Sequence, residues 1–284
     1  IIGHAPVIAA NRATAHLYRH WSVAPTITGR GIEEDFAVSK PEREEKQIDL
    51  KEIGVVHSED ATVVGSSNLI QRAEFFQERA PLYFESIAQA IATGIYTGTA
   101  AGKNFHSLNE AAEENSAEVD ATGSSEGSRT SIYLVDWNPN STGIVINPAV
   151  VSDVTSLVHT EFINDLKIVM QVLADDTEQP VYKVMYRTMF NFLNNSNHRV
   201  ARMKNVEDTT NKLPTAKRLS EMISLAKAKP GTSYFYTSPL GARLIDTLKD
   251  DKLQMITTNM DYSTAVKSYN GIPIFVDENI PEDL

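Results

Sequence analysis

The segment from Gly29 to Ile53 limits what this chain can fold into more than any other. Between Arg30 and Glu52 it carries Glu33, Glu34, Asp35, Glu42, Glu44, Glu45, Asp49 and Glu52 against Arg30, Lys40, Arg43, Lys46 and Lys51, with Pro41 near the middle. Phe36-Ala37-Val38 reads as one strand, and Ile48-Asp49-Leu50-Lys51-Glu52-Ile53 alternates with the period of a second. Together they predict a long two-stranded ribbon with a charged tip. Two strands alone are marginal in water, and this pair holds too few apolar residues to build a core. The ribbon must therefore lie on a neighbour, and its mixed charges fit pairing with another subunit. A solvated charged loop is the alternative for such a composition.

The rest of the chain has the means to fold. Its 284 residues are 42% hydrophobic and 22% charged, ordinary for a globular protein. Residues 1–24 show no helical period and read as an extended arm that needs another surface for its apolar side chains. Leu69, Ala73, Phe76, Ala80, Phe84, Ile87, Ala88 and Ile91 recur at helical spacing, with Ser66, Ser67 or Asn68 as cap and Gly94 and Gly98 as the end. Pro81 should kink this helix unless it begins a second segment. Residues 99–130 read as structureless, with a flexible link at Gly123–Ser128.

Order returns with a strand at Ser131–Trp137, a turn at Asn138–Ser141 and a strand at Thr142–Pro148. Gln179–Phe192 alternates over its whole length, and His198–Val206 follows it. A helix spans 215–229 and is closed by Pro230-Gly231. Tyr234–Thr237 is an aromatic strand. Ser238-Pro239 then opens an amphipathic helix, with the proline at a first helical position. Asn270-Gly271 is a turn feeding the strand Ile272–Val276, which Pro273 should push toward a sheet edge. No internal repeat is visible.

This C-terminal order of strand, helix, strand, turn and strand, with its late Gly271-Ile272-Pro273-Ile274, resembles tailed-bacteriophage major capsid proteins of the Hong Kong 97-type fold. Ser131–Trp137 with the following Gly143–Pro148 resembles a strand pair of one branch of those proteins. The long helix at 66–93 sits where they carry a spine helix. Phe105-His106-Ser107-Leu108-Asn109 lies where relatives have a glycine in place of Ser107. In better-known relatives the segment like Tyr234–Ile245 precedes the peripheral-domain strands. Here it follows them, which implies the branch with permuted element order.

The resemblance implies an α+β fold with an N-terminal arm (1–24), an extended loop (25–60), a spine helix and flexible loop (61–129), axial-domain strands and connection (130–178), peripheral-domain strands (179–212) and an axial domain (213–284). It implies a structural shell protein rather than an enzyme. The partners would be copies of itself in hexamers and pentamers, with scaffolding, portal and decoration proteins beside them. DNA would be packaged inside without sequence-specific binding. The place would be the virion, assembled in the host bacterial cytoplasm. Arg30, Glu33, Glu34, Asp35, Lys40, Arg43, Glu44, Glu45 and Lys46 are the expected inter-subunit contacts, and Asn270, Gly271 and Pro273 form a structural turn. An encapsulin-type compartment shell shares the fold and is the nearer rival. A soluble α+β enzyme is the more distant one.

Charge and chemistry agree with a structural role. A net charge of −11 does not suit a protein that wraps nucleic acid by neutralising phosphates. It suits a container wall that must not stick to its DNA, and equally an ordinary acidic cytosolic protein. There are no cysteines, so disulfides, thiolate zinc sites and cysteine nucleophiles are excluded. No run is long enough to span a bilayer, no signal peptide is legible, and no membrane partner is expected. Gly98–Asn104 is one residue short of a phosphate loop, and Asn104 lacks the magnesium-binding hydroxyl. His16 and His20 are two ligands, too few for zinc. His57, Glu59 and Asp60 read as a polar turn. Lys40 and Lys46 supply lysines for a cross-link of the kind some capsids form, but no asparagine partner is identified. No catalytic residue, cofactor or metal is expected.

Overall fold

In the computed structural model the described residues are 2–23, 26–27, 39–40, 42–65, 68–99, 105–124, 129–150, 158–172, 177–196, 198–209, 211–248, 253–257 and 265–282. The strands run β1 (Val7–Ala9), β2 (Ala15–Val23), β3 (Glu42–Asp49) and β4 (Lys51–Asp60), then helices α1 (Ala61–Val64), α2 (Leu69–Thr97) and α3 (Leu108–Glu114). Next come β5 (Glu118–Asp120), β6 (Arg129–Asp136), β7 (Thr142–Ile146), β8 (His159–Phe162), β9 (Val169–Val172), β10 (Glu178–Asn194) and β11 (Val200–Glu207). The chain closes with α4 (Ala216–Ala226), β12 (Ser233–Thr237), α5 (Pro239–Asp246), β13 (Leu253–Thr257), β14 (Ala265–Tyr269) and β15 (Ile272–Val276).

The strand β10 organises a six-stranded sheet. One edge pairs with β4 from Val181↔Asp60 to Phe190↔Lys51, and the other is shared end to end by β9, β8 and β7. At about 3.3 Å per residue such a strand is roughly 55 Å long. The helix α2 lies across this sheet. Its apolar stripe buries Phe76, Ala80, Ile87, Ile91 and Ile95. Tyr83 stacks on Tyr186 at 5.1 Å, and Phe84 meets the same ring edge-on at 5.5 Å. Asn68 caps the helix, accepting from the Ile70 N–H. Pro81 lies inside one continuous helix, and no second helix begins there. The helix also passes Gly94 and ends at Gly98. His57 is buried in β4 rather than in a turn, 4.7 Å from the Tyr83 ring and 3.2 Å from Glu59. Asp60 caps α1 through the Thr62 N–H.

A seven-stranded sheet runs β13-β14-β15-β12-β6-β11-β5. Its centre is covered on both faces, which is why β6 is buried almost throughout. Ile132 and Leu134 face the core under α4 and α5, whereas Tyr133 and Val135 face the core shared with α2. Thr215 and Ser238 cap α4 and α5, and Pro239 holds the first position of α5 as expected. Asn270 and Gly271 both have positive φ, 52° and 78°, as a two-residue hairpin turn requires.

Several expectations are corrected. Pro273 lies in an interior strand, not at an edge: β15 pairs with β14 on one side and β12 on the other. It opposes Ser268, one step beyond the pair that closes the turn, where an antiparallel hairpin exchanges no hydrogen bond. The ladder to β12 starts only at Ile274, so the missing N–H costs little. The strands β6 and β7, adjacent in sequence, do not pair. The turn at Trp137–Ser141 carries the chain from one sheet to the other, and Asn195–Arg199 does the same between β10 and β11. The region 99–130 contains α3, whose start is a capping box of Ser107 and Glu110, and then β5. The link at Gly123–Ser128 falls partly outside the described residues.

The N-terminal arm is not free. β1 adds to the edge of β7 in parallel, from Val7↔Ile144 to Ala9↔Ile146, and Gly143 leaves room for Pro6, whose carbonyl oxygen would lie 2.6 Å from a Cβ there. His4 stacks on Tyr234 at 4.8 Å. Tyr236 Oη accepts from Trp137 Nε1 and shares a hydrogen bond with His4 Nδ1, each at 2.9 Å. The start of the arm thus pairs a short strand and stacks the His4 ring on its own chain. Its second half, β2, is one leg of the ribbon.

Candidate inter-subunit surface

The ribbon is built from β2 and β3, from Ala15↔Asp49 to Val23↔Glu42. The expected first leg, Phe36–Val38, lies outside the described residues, and so do Arg30, Glu33, Glu34 and Asp35. The second leg ends at Asp49 because β4 leaves to pair with β10. Among the remaining expected contacts, Lys40 is exposed, and Arg43, Glu44, Glu45 and Lys46 are exposed along β3. Six of the eight positions of β3 in sequence are exposed before Ile48. Alternation would bury one face, so β3 has no body beneath it. Arg19 opposes Glu45, 3.7 Å between Nε and Oε1, with both side chains about two-thirds exposed. An exposed pair of this kind sets register and contributes roughly 0–1 kcal/mol.

The root of the ribbon stands over a polar cleft. One part, of 260 Å³, is lined by Tyr18, Gln47 and Ile48 of the ribbon and by His106, Glu114 and Asn191 of the body. A second part, of 410 Å³, adds His20, Lys46 and Asn195. Glu114 Oε2 lies 3.3 Å from His106 Nε2. That contact holds the Glu114 carboxyl below the usual range, against the effect of burial. Burial raises the Tyr18 hydroxyl, and the Glu114 charge adds to the rise. His20 donates from Nδ1 to Asn195 Oδ1 at 2.9 Å. His16 shares its face, but no group of three or more metal-ligating side chains occurs among the described residues.

A second surface was not legible in the sequence. A groove of 420 Å³ between α2 and the turn after β8 is lined by Leu69, Ile70, Ala73, Phe162 and Leu166. Leu69 is 53% exposed and Ile70 65%. They belong to the periodic stripe or flank it, so periodicity alone assigns them to the core. Contiguous exposed apolar side chains mark interaction surfaces. The Asn270-Gly271 turn is exposed too, with Pro230 3.5 Å from where a Gly271 Cβ would lie.

No family model matches the sequence, and no curated protein matches it. Solved structures do. A structure of bacteriophage Epsilon15 is 15% identical with a TM-score of 0.58, covering 97% of this chain and 85% of that one. The capsid of bacteriophage JBD30 is 10% identical with a TM-score of 0.47, covering 97% and 88%. The capsid of a native GTA particle is 10% identical with a TM-score of 0.41, covering 71% and 88%. The Epsilon15 likeness carries the fold. This chain has the α+β, Hong Kong 97-type fold that its sequence resembles.

Proposed function

We propose that this chain is the major capsid protein of a tailed, DNA-containing bacteriophage, a structural subunit that tiles with its own copies into an icosahedral head. The observation that carries this reading is the likeness to a bacteriophage structure across 97% of the chain, joined to a ribbon exposed along its outer strand. The ribbon reaches a neighbouring copy through Lys40, Arg43, Glu44, Glu45 and Lys46, and Arg30, Glu33, Glu34 and Asp35 are further contacts. The first half of the N-terminal arm, tied to β7, does not reach one. The seven-stranded sheet with α4 and α5 is the axial domain, gathered round the axes of hexamers and pentamers. The six-stranded sheet with α2 is the peripheral domain at their edges. Each contact is modest, because in a closed shell losing one subunit means breaking several contacts at once. The net charge of −11 keeps the wall from adhering to packaged DNA. Scaffolding, portal and decoration proteins are the further partners, and assembly takes place in the host bacterial cytoplasm.

Electron microscopy of the expressed chain, with nucleic acid and protein content of any particles, tests this. Closed shells made beside portal and DNA-packaging genes support it. Shells filled with a cargo enzyme favour the encapsulin-type compartment. A monomer that turns over a substrate sinks both.

A further inference from the structure

The two legs of the ribbon leave the body side by side, and each is gripped at its departure point by one buried amide. Asn147 Nδ2 donates to the Ala13 carbonyl at 2.7 Å, just before β2. Asn191 Nδ2 donates to the Asp49 carbonyl at 2.8 Å, at the end of β3. Both asparagines come from the six-stranded sheet side, and both are buried. Asn191 Oδ1 is itself fixed by the His106 and Phe192 N–H groups, each at 2.8 Å. Between the grips the Leu50 N–H donates to the Thr14 carbonyl at 2.8 Å, and the Leu50 side chain packs with Val145 and Leu193. This root cannot shift without breaking hydrogen bonds inside a core.

Beyond the root the situation reverses. Tyr18 and Ile48 still pack against the Leu50 cluster, but farther along the ribbon faces the body across polar clefts of 260 and 410 Å³. Close packing would hold one angle, because interiors deform little. A wet cleft does not. Among the described residues, Asn195 bonds directly across it, accepting from His20 Nδ1 at 2.9 Å and donating from Nδ2 to the Arg19 carbonyl at 3.3 Å.

We propose that Asn147 and Asn191 form a paired pivot and Asn195 a strap, and that together they set the angle at which the ribbon leaves the subunit. These are positioning residues: they do not reach a neighbour but decide where the ribbon tip meets one. That consequence rests on the shell reading above, whereas the angle itself belongs to the subunit.

The absence of cysteine makes the test direct. Glu42→Cys at the far end of β3 and Glu113→Cys on α3, both exposed, take one spin label each in the full chain, diluted with unlabelled chain. Pulsed electron–electron resonance then reads the ribbon-to-body distance. The parent should give one narrow distribution. Asn195→Ala should move or broaden it by about 5 Å, the spacing of one strand, with an unchanged melting midpoint. Asn191→Leu should broaden it further, and Asn195→Gln should restore part of the narrow peak. Distributions matching the parent in both Asn195→Ala and Asn191→Leu overturn the proposal. If Asn191→Leu does not fold, Asn195→Ala decides alone. A chain that forms no shells yet shows the broadening refutes the shell reading and leaves the pivot standing.

Discussion

The Asn270-Gly271 turn offers a perturbation whose size follows from geometry alone. Gly271 sits at φ +78°, and an added Cβ would meet Pro230 at 3.5 Å, an ordinary contact. Substitution therefore introduces backbone strain without a clash. Placing an L-residue in left-handed conformation costs about 1–2 kcal/mol, and loss of unfolded-state freedom returns about 0.4–1 kcal/mol. Gly271→Ala should thus destabilise by about 1 kcal/mol. Gly271→Val should lie nearer about 2 kcal/mol, since β-branched side chains tolerate positive φ worst. The turn positions Tyr269, which is fully buried and whose hydroxyl donates to the Ala216 carbonyl at 3.0 Å, so the strain is felt at the start of α4. Urea unfolding of the subunit measures the difference. Gly3→Ala is the control, because nothing lies within 4 Å of its added Cβ and its φ is not positive. If Gly271→Val unfolds at the parent's midpoint, the assigned turn geometry is wrong.

Three further outcomes are expected. Gly94→Ala drives a methyl to 2.7 Å from the Phe105 ring, and should cost about 1–3 kcal/mol by overpacking, read by thermal melting. His4 has its pKa lowered to about 4, chiefly by burial. The folded chain therefore binds fewer protons than the unfolded one. The His4 contribution is intact above about pH 6.5 and is lost as pH falls from there to about 4; His4→Phe should flatten that part of the stability profile. Replacing residues 24–41 by Asn-Gly joins Val23 to Glu42, which already oppose each other. The subunit should melt as before but make no shells, whereas normal shells would remove the bridging role of the ribbon tip.

Local chemistry was legible where the chain itself supplies the partner. The cap among Ser66, Ser67 and Asn68, Pro239 at a helix start and the Asn270-Gly271 turn are short-range signals, and the structure has Asn68 as the cap, Pro239 at the helix start and the turn. The Ser107-x-x-Glu110 capping box was an equally local signal, obscured by the acidic run around it. Pairing was not legible. The charged segment 42–49 takes β2 as a partner, a pairing with a strand far upstream that no local pattern announces, and its end is set by where β4 is held by β10. Pro273 argued for an edge, but register placed it where its missing donor is not needed. Tyr18, Asn191 and Asn195, which shape the root of the ribbon, carry no motif. They are ordinary residues brought together by two distant sheets, and only coordinates reveal them.

The central claim is that this polypeptide is completed by copies of itself. Cryo-electron microscopy of the full-length chain, purified after expression alone or with the proteins of its own gene neighbourhood, tests it most directly. Closed icosahedral particles are expected, with the β2–β3 ribbon of each subunit lying on an adjacent copy. A monodisperse monomer under all such conditions, or shells in which every ribbon lies back on its own subunit, would contradict it.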